Sequence, residues 1–274
     1  MKKIIATMFM LALGMLSGQA FAWDQKAPLA LDACKDEMPY GMPKLAKPKN
    51  VIICRTGYAL QTDTDAKIPA WVSWTVTPDE TLGCVKRSDG FVADNSLTKG
   101  QRAEVSDYDK SGFDKGHLAN DGDMSWEQQV EYESFLMSNM SPQYPATNRG
   151  IWKQLETATR AWSFESKHQF LVYAGDIWND ADATIGASKV KIPHALFKIV
   201  VDTQTKQVLA FRFLNTQANV GNDLTPFLTS VAAIEKETGI EFPLPQGADK
   251  NFKAITVWPI NFKLQADAKA AKCK

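Results

Sequence analysis

Two short polar stretches hold residue types from which acid–base and metal chemistry can be assembled. The first reads Phe113-Asp114-Lys115-Gly116-His117-Leu118-Ala119-Asn120. The second reads Ser138-Asn139-Met140-Ser141-Pro142-Gln143 and, after a short gap, Thr147-Asn148-Arg149-Gly150-Ile151-Trp152-Lys153-Gln154-Leu155-Glu156, with Arg160 beyond. His117 follows a glycine in a polar segment where the backbone can turn closely around a site. An imidazole there can serve as a general base near neutral pH. A lone histidine is more often an ordinary surface or core residue, so His117 needs partners. His168 and His194 have no comparable surroundings and read as structural.

The second stretch supplies such partners. At about 100° per residue, with Asn148 at zero, Glu156 falls near about 80° and Arg160 near about 120°. Ile151, Leu155, Ala158 and Trp162 fall in a separate sector, at about 280° to 340°. One face of a helix over Arg149–Trp162 would then pack into a core while the adjoining face presents an amide, a carboxylate and a guanidinium. Taken by itself, that pattern is the solvated face of any amphipathic helix.

Together the motifs carry more. Asp114-Lys115-Gly116-His117, with Asn139, Asn148, Glu156 and Arg160 at their spacings, resembles the DNA/RNA non-specific endonucleases. That family comprises extracellular sugar-non-specific and endonuclease G-like nucleases. Its signature is Asp-Arg-Gly-His followed about thirty residues later by a helix with Asn-x-x-x-Trp-x-x-x-Glu. Here His117 and Asn148 are 31 apart, and Asn148, Trp152 and Glu156 fit the helix pattern. The similarity extends from Cys54-Arg55-Thr56-Gly57-Tyr58 through Trp71-Val72 to Ile234-Glu235-Lys236-Glu237-Thr238-Gly239, roughly residues 50–245.

The resemblance implies an α+β single domain with the ββα-metal (His-Me finger) nuclease fold, a mainly antiparallel sheet flanked by helices. It implies hydrolysis of phosphodiester bonds in DNA and RNA with Mg²⁺ as cofactor and Mn²⁺ able to substitute. His117 would be the general base acting on the attacking water, and Asn148 the one direct protein ligand of the metal. An amide oxygen among waters suits a hard cation that gives up hydration reluctantly. Glu156 would hold water of the ion's shell, Asn139 would position the site, and Arg160 would contact phosphate. Arg87, in Arg87-Ser88-Asp89-Gly90-Phe91, is similar to the family's upstream arginine that steadies phosphate charge. Lys115 would bind substrate where the family usually has arginine, keeping the charge but not the planar two-pronged grip. Ala119-Asn120-Asp121 and the proline-free Tyr173-Ala174-Gly175-Asp176 also depart from the commonest pattern. None of these groups reads a base edge or requires a 2′-hydroxyl, so neither sequence nor sugar should be discriminated strongly. The partners implied are DNA and RNA, with a second copy of the chain (a homodimer) and an inhibitor protein as further candidates.

The elements that must position these residues follow from periodicity. Val51–Leu60 and Trp71–Thr77 read as strands, as do Phe170–Ala174, Ala195–Val201 and Val208–Leu214. Ser125–Met137 and Thr225–Glu237 read as helices, the latter with Pro226 in its first turn and Gly239 to end it. Residues 23–50 read as an irregular arm, 78–112 as a connection too long to be idle, and the tail after Leu264 as loose.

Chain-wide features bound the setting. Met1-Lys2-Lys3, an apolar run from Ile4 to Leu16 and the ending Ser17-Gly18-Gln19-Ala20-Phe21-Ala22 describe a secretory signal peptide over residues 1–22, leaving a nuclease domain over 23–274. The apolar run is short for a membrane span, so no membrane association is expected after cleavage. Export would place the protein in the periplasm or outside the cell. The first 22 residues hold two lysines and no acid, so the remaining chain carries 29 basic and 31 acidic side chains. Such a balance requires a local basic patch for any nucleic-acid contact and suits an enzyme that releases its substrate. Four cysteines in an exported chain favour disulfides. Three connectivities are open; Cys34–Cys54 with Cys84–Cys273, tying both ends of the chain to its body, is the working expectation. A structural zinc site is the alternative, though no C-x-x-C occurs and there are three histidines. The rival functional reading is a catalytically inactive nucleic-acid-binding module of the same fold. Intact His117, Asn148 and Glu156 argue against it, and G-x-S-x-G, H-E-x-x-H and P-loop motifs are absent from the sequence.

Overall fold

The computed structural model describes residues 25–45, 50–219 and 221–274, so the signal-peptide reading of residues 1–22 lies outside the described residues. In chain order the elements are β1 (Lys44–Leu45), β2 (Asn50–Cys54), β3 (Ala59–Asp63), β4 (Ile68–Val76), β5 (Asp114–His117), α1 (Gln128–Ser134), β6 (Met140–Gln143) and α2 (Lys153–Ser166). Then come β7 (Phe170–Ile177), β8 (Thr184–Ile185), β9 (Val190–Lys191), β10 (Ala195–Asp202), β11 (Val208–Leu214), β12 (Leu228–Thr229), α3 (Val231–Thr238), β13 (Ile240–Glu241) and α4 (Phe262–Lys272). The chain is an α+β domain built on a seven-stranded sheet of order β12-β11-β10-β7-β4-β3-β2, antiparallel at every pairing.

Every residue of β7 and β10 is buried, because the sheet is covered on both faces. One face, with Val72, Trp74, Val172, Leu196 and Val200, packs against Ile151, Trp152, Leu155, Ala158 and Trp162 of the α2 region. The other, with Trp71, Tyr173, Phe197 and Ile199, packs under Val231 and Ile234 of α3 and under the N-terminal arm at Cys34 and Met38. The apolar helical stripe expected from the sequence is thus the seam that docks α2 on the sheet, where a fully buried large side chain contributes about 1.5–3 kcal/mol.

Several elements differ from the periodicity reading, each for a local reason. Val51–Leu60 is a hairpin of two strands, because the chain reverses at Arg55–Tyr58, where Arg55 N–H donates to the Tyr58 carbonyl at 2.8 Å. The helix expected over Ser125–Met137 shrinks to α1, because Val92 pairs with the backbone beside Leu136 and draws the chain out of the helix. The expected Thr225–Glu237 helix is interrupted by β12, which pairs with β11 at the sheet edge. Ser230 then starts α3 afresh, its hydroxyl accepting from Ala233 N–H, and Gly239 ends it at φ 71°. The tail is a helix: Asn261 caps α4, and Gln265 donates to the Thr81 carbonyl at 2.6 Å. The 78–112 connection holds two short 3-10 turns and is anchored by a buried ion pair, Arg55 Nη2 to Asp94 Oδ1 at 2.7 Å. Cys34–Cys54 and Cys84–Cys273 are the two disulfides, and no described cysteine is free. No helix among the described residues is long and apolar enough to cross a membrane.

Candidate active site

A two-stranded hairpin lies on the α2 side of the sheet. Strands β5 and β6 pair antiparallel, with Lys115 opposite Pro142 and His117 opposite Met140. Alternation along β5 puts Lys115 and His117 on one face and Gly116 on the other. Gly116 must be a glycine for space: a Cβ there would meet Gln143 Cδ at 2.2 Å. From β6 the chain passes through a wide turn, Thr147–Trp152, into α2, completing a ββα unit. At Gly150 the backbone leaves helical geometry (φ −99°, ψ −111°), so Asn148 stands before a kink rather than on the cylinder of α2. The angular count from Asn148 to Glu156 therefore fails at Gly150, while Glu156 and Arg160 keep their i, i+4 relation within α2.

The hairpin, the turn and α2 wall a cleft of about 430 Å³. It gathers six residues singled out from the sequence: Arg87, Lys115, His117, Asn148, Glu156 and Arg160. Asn139 lies behind the wall and is fully buried. Its amide donates to the Ala119 and Ser134 carbonyls, each at 2.8 Å, and accepts from Ala119 N–H at 3.0 Å. It staples the chain leaving β5 to the end of α1. His168 and His194 lie outside the cleft, against Asp202 (2.8 Å) and Asp182 (2.7 Å). Five further residues line the cleft without having been given a role from the sequence: Asn120, Asp121, Gly122, Arg149 and Lys153. The wall thus carries five cationic side chains against two carboxylates, Asp121 and Glu156. A chain with no net charge presents a basic surface at this concavity.

His117 is buried but for a sliver of its surface. Its ring stands edge-on to Phe135, with centroids 4.7 Å apart, and tilted to Phe91 at 5.5 Å. Its backbone carbonyl accepts from the Trp152 indole N–H at 3.0 Å, and its Nε2 has no protein hydrogen-bond partner. Burial pushes its pKa down from 6.5 to about 4; Asp121 opposes that shift and Arg87 reinforces it. The imidazole is therefore neutral at pH 7, the form a base requires.

Asp114 orders the neighbouring amide. Its carboxylate accepts from Asn148 Nδ2 at 3.0 Å and from Arg149 at 2.8 and 2.6 Å. Burial works against its ionisation, but the bonds from Arg149 and Asn148 and the adjacent Arg149 and Lys115 charges outweigh it and hold the pKa below the usual value. With Nδ2 committed to a carboxylate, the Asn148 Oδ1 is left as the acceptor available to a cation. Glu156 is half-buried; desolvation pushes its pKa up to about 7, against the opposing pull of the Lys198 and Arg160 charges. Arg160 Nη1 donates to Asn120 Oδ1 and Asp123 Oδ1, both at 2.7 Å. Arg87 bonds Asp89 and, at 2.7 Å, Asp121. The Lys115 ammonium lies 5.3 Å from the Phe91 ring centroid.

The chain is similar to known proteins in sequence and fold. A family model for DNA/RNA non-specific endonucleases matches residues 41–248. A nuclease of Nostoc sp. is 31% identical over 212 residues, covering 73% of this chain and 76% of that protein. Mitochondrial endonuclease G of Homo sapiens is 30% identical over 232 residues, covering 79% and 76%. Among solved structures, a crystal structure of the EndoG/EndoGI complex, which concerns the mechanism of EndoG inhibition, matches with TM-score 0.69 at 26% identity. It covers 77% of this chain and 91% of that one.

Proposed function

The chain belongs to the DNA/RNA non-specific endonuclease family, and from that premise we propose that it is an exported, Mg²⁺-dependent endonuclease that cleaves DNA and RNA alike. The observation that carries this reading is the pairing in one basic cleft of a neutral, buried His117 with an Asn148 whose amide nitrogen is held by Asp114, leaving its oxygen as the free acceptor. The donor set fits Mg²⁺, or Mn²⁺ in its place. One amide oxygen with a carboxylate nearby suits a hard cation that keeps most of its waters. When bound, the ion would neutralise charge on the scissile phosphate and on the leaving oxygen.

The chain's own residues do the rest. His117 takes a proton from the attacking water, and its neutral state at pH 7 leaves it free to do so. Asn148 would hold the cation, and Glu156 would accept hydrogen bonds from water around it. Arg87 and Arg160, each already paired with an aspartate, need little reorganisation to meet phosphate charge. Lys115 and the cations beside it attract the backbone without reading bases, which supports low sequence preference. The two disulfides support an oxidising destination, periplasmic or extracellular. An inhibitor protein is a proposed partner, because the matched nuclease structure is an inhibited complex.

Purified protein incubated with plasmid DNA and with RNA, with and without EDTA, tests this reading. Cleavage of both polymers should stop in excess chelator. His117→Ala should lose about 10²–10⁴-fold in turnover while still binding metal. Asn148→Ala should weaken metal affinity and regain activity at high magnesium. Full activity in EDTA overturns the metal; binding without cleavage turns the assignment to an inactive nucleic-acid-binding module.

A further inference from the structure

Arg87 reaches the cleft from a stretch of chain with no regular structure. Residues 86–90 are all exposed, while the chain on either side is tied down. Val85 N–H donates to the Ser125 carbonyl at 2.9 Å, and Val92 N–H donates to the Phe135 carbonyl at 3.3 Å. Between these points the backbone of 86–90 makes one hydrogen bond to another element among the described residues: Ser88 N–H donates to Glu131 Oε1 at 2.7 Å. Glu131 lies midway along α1 and is 0% exposed. Its second oxygen, Oε2, is buried with no hydrogen-bond partner. A carboxyl group so placed is costly. Its presence on the inner side of α1 asks for a reason outside stability.

The neighbours of Ser88 supply that reason. The Arg87 guanidinium bonds Asp89 and, at 2.7 Å, Asp121, and its central carbon lies 4.9 Å from the Phe135 ring centroid. Phe135 closes α1 one turn after Glu131, and its ring stands edge-on to His117 at 4.7 Å. One turn of helix therefore provides both the floor on which Arg87 rests beside His117 and the acceptor that fixes the backbone next to Arg87. The two aspartate pairs are partly exposed and hold only the side chain, so by themselves they restrain the stretch weakly.

We propose that Glu131 is a positioning residue of the nuclease site, which through Ser88 N–H fixes the stretch that presents Arg87 over Phe135 and beside His117. The inference rests on the reading above, in which Arg87 meets the charge of the scissile phosphate. The role requires an acceptor oxygen and not a charge. Burial raises the Glu131 pKa and the bonds from Ser88 oppose it, but a carboxylate, a carboxylic acid and an amide can each accept from Ser88 N–H.

The test compares Glu131→Met, which removes the acceptor, with Glu131→Gln, which keeps it, each alone and combined with Arg87→Ala. Thermal melts, Mn²⁺ affinity of the metal-free protein by electron paramagnetic resonance, and kcat and KM on DNA are the readouts. Glu131→Met should melt at or above the wild-type temperature and bind Mn²⁺ as the wild type does. It should lose about tenfold in kcat with KM little changed, a part of the about 10²–10³-fold that losing a charge-stabilising donor outright costs. Glu131→Gln should stay close to wild-type kcat. In the Arg87→Ala background Glu131→Met should add almost nothing. Wild-type kcat or weakened Mn²⁺ binding in Glu131→Met, a Gln variant as impaired as the Met variant, or equal losses in both backgrounds overturn the proposal. Failure of both single variants to fold does so too, by assigning Glu131 to the core. A wild-type protein without metal-dependent cleavage would instead overturn the underlying nuclease reading.

Discussion

His117 sets the pH behaviour of the site through its burial. Its folded pKa, about 4, lies below the 6.5 of an exposed histidine, with desolvation as the main cause. As pH falls, the unfolded chain takes up this proton first, so the contribution is fully present above pH 6.5 and is lost as pH drops toward 4. A shift of this size corresponds to about 3 kcal/mol. His117→Gln removes the proton site and should flatten that part of the curve. Urea unfolding at pH 7.5 and pH 4.5 should show the wild type losing about 2–3 kcal/mol more than the variant over this interval. Parallel losses in the two proteins would mean that His117 is solvated in solution and free to protonate in place.

Between residues and the whole molecule, the ββα unit shows what was legible in the sequence and what was not. The apolar stripe of α2 and the strands β4, β7, β10 and β11 could be read because each leaves a periodic pattern in the chain, and the grouping of His117 with Asn148 and Glu156 because their spacing resembles the family's signature. The kink at Gly150 left none, since a glycine inside a helical pattern reads as a weak helix position. Asp114's grip on Asn148 was hidden because the partners are 34 residues apart, and register across β5 and β6 decides the contact. The hairpin also yields a test. Gly116→Ala places a methyl into the buried Gln143 side chain and should destabilise by about 1–3 kcal/mol, with cleavage falling as β5 shifts. Adding Gln143→Ala should recover much of both, read by thermal melt and initial rate. A double variant no better than Gly116→Ala would place the constraint in the backbone instead.

At the scale of the whole molecule, the two disulfides do unequal work. Cys34–Cys54 closes a loop of 20 residues and fastens the N-terminal arm to β2, on the sheet face away from the cleft. Cys84–Cys273 spans 189 residues and pins α4 to the segment that, three residues later, presents Arg87. Chain-entropy arguments give the long loop about 5 kcal/mol and the short one about 3 kcal/mol, with measured values commonly smaller. The functional asymmetry should be larger than the energetic one. α4 reaches the cleft rim through Lys269, whose ammonium donates to Ser125 Oγ at 3.1 Å and feels the charges of Arg160, Asp121 and Asp123. Releasing α4 loosens both the Arg87 segment and that rim, whereas releasing the N-terminal arm touches neither. Thiol titration of the oxidised protein under denaturing conditions should find no free thiol. Cys84→Ser with Cys273→Ser should lower the melting temperature and reduce cleavage several-fold at a temperature where the variant remains folded. Cys34→Ser with Cys54→Ser, assayed below its own melting temperature, should keep near wild-type turnover. Equal turnover in the two pairs would show that Arg87 is held without help from α4, and that α4 contributes stability without shaping the site.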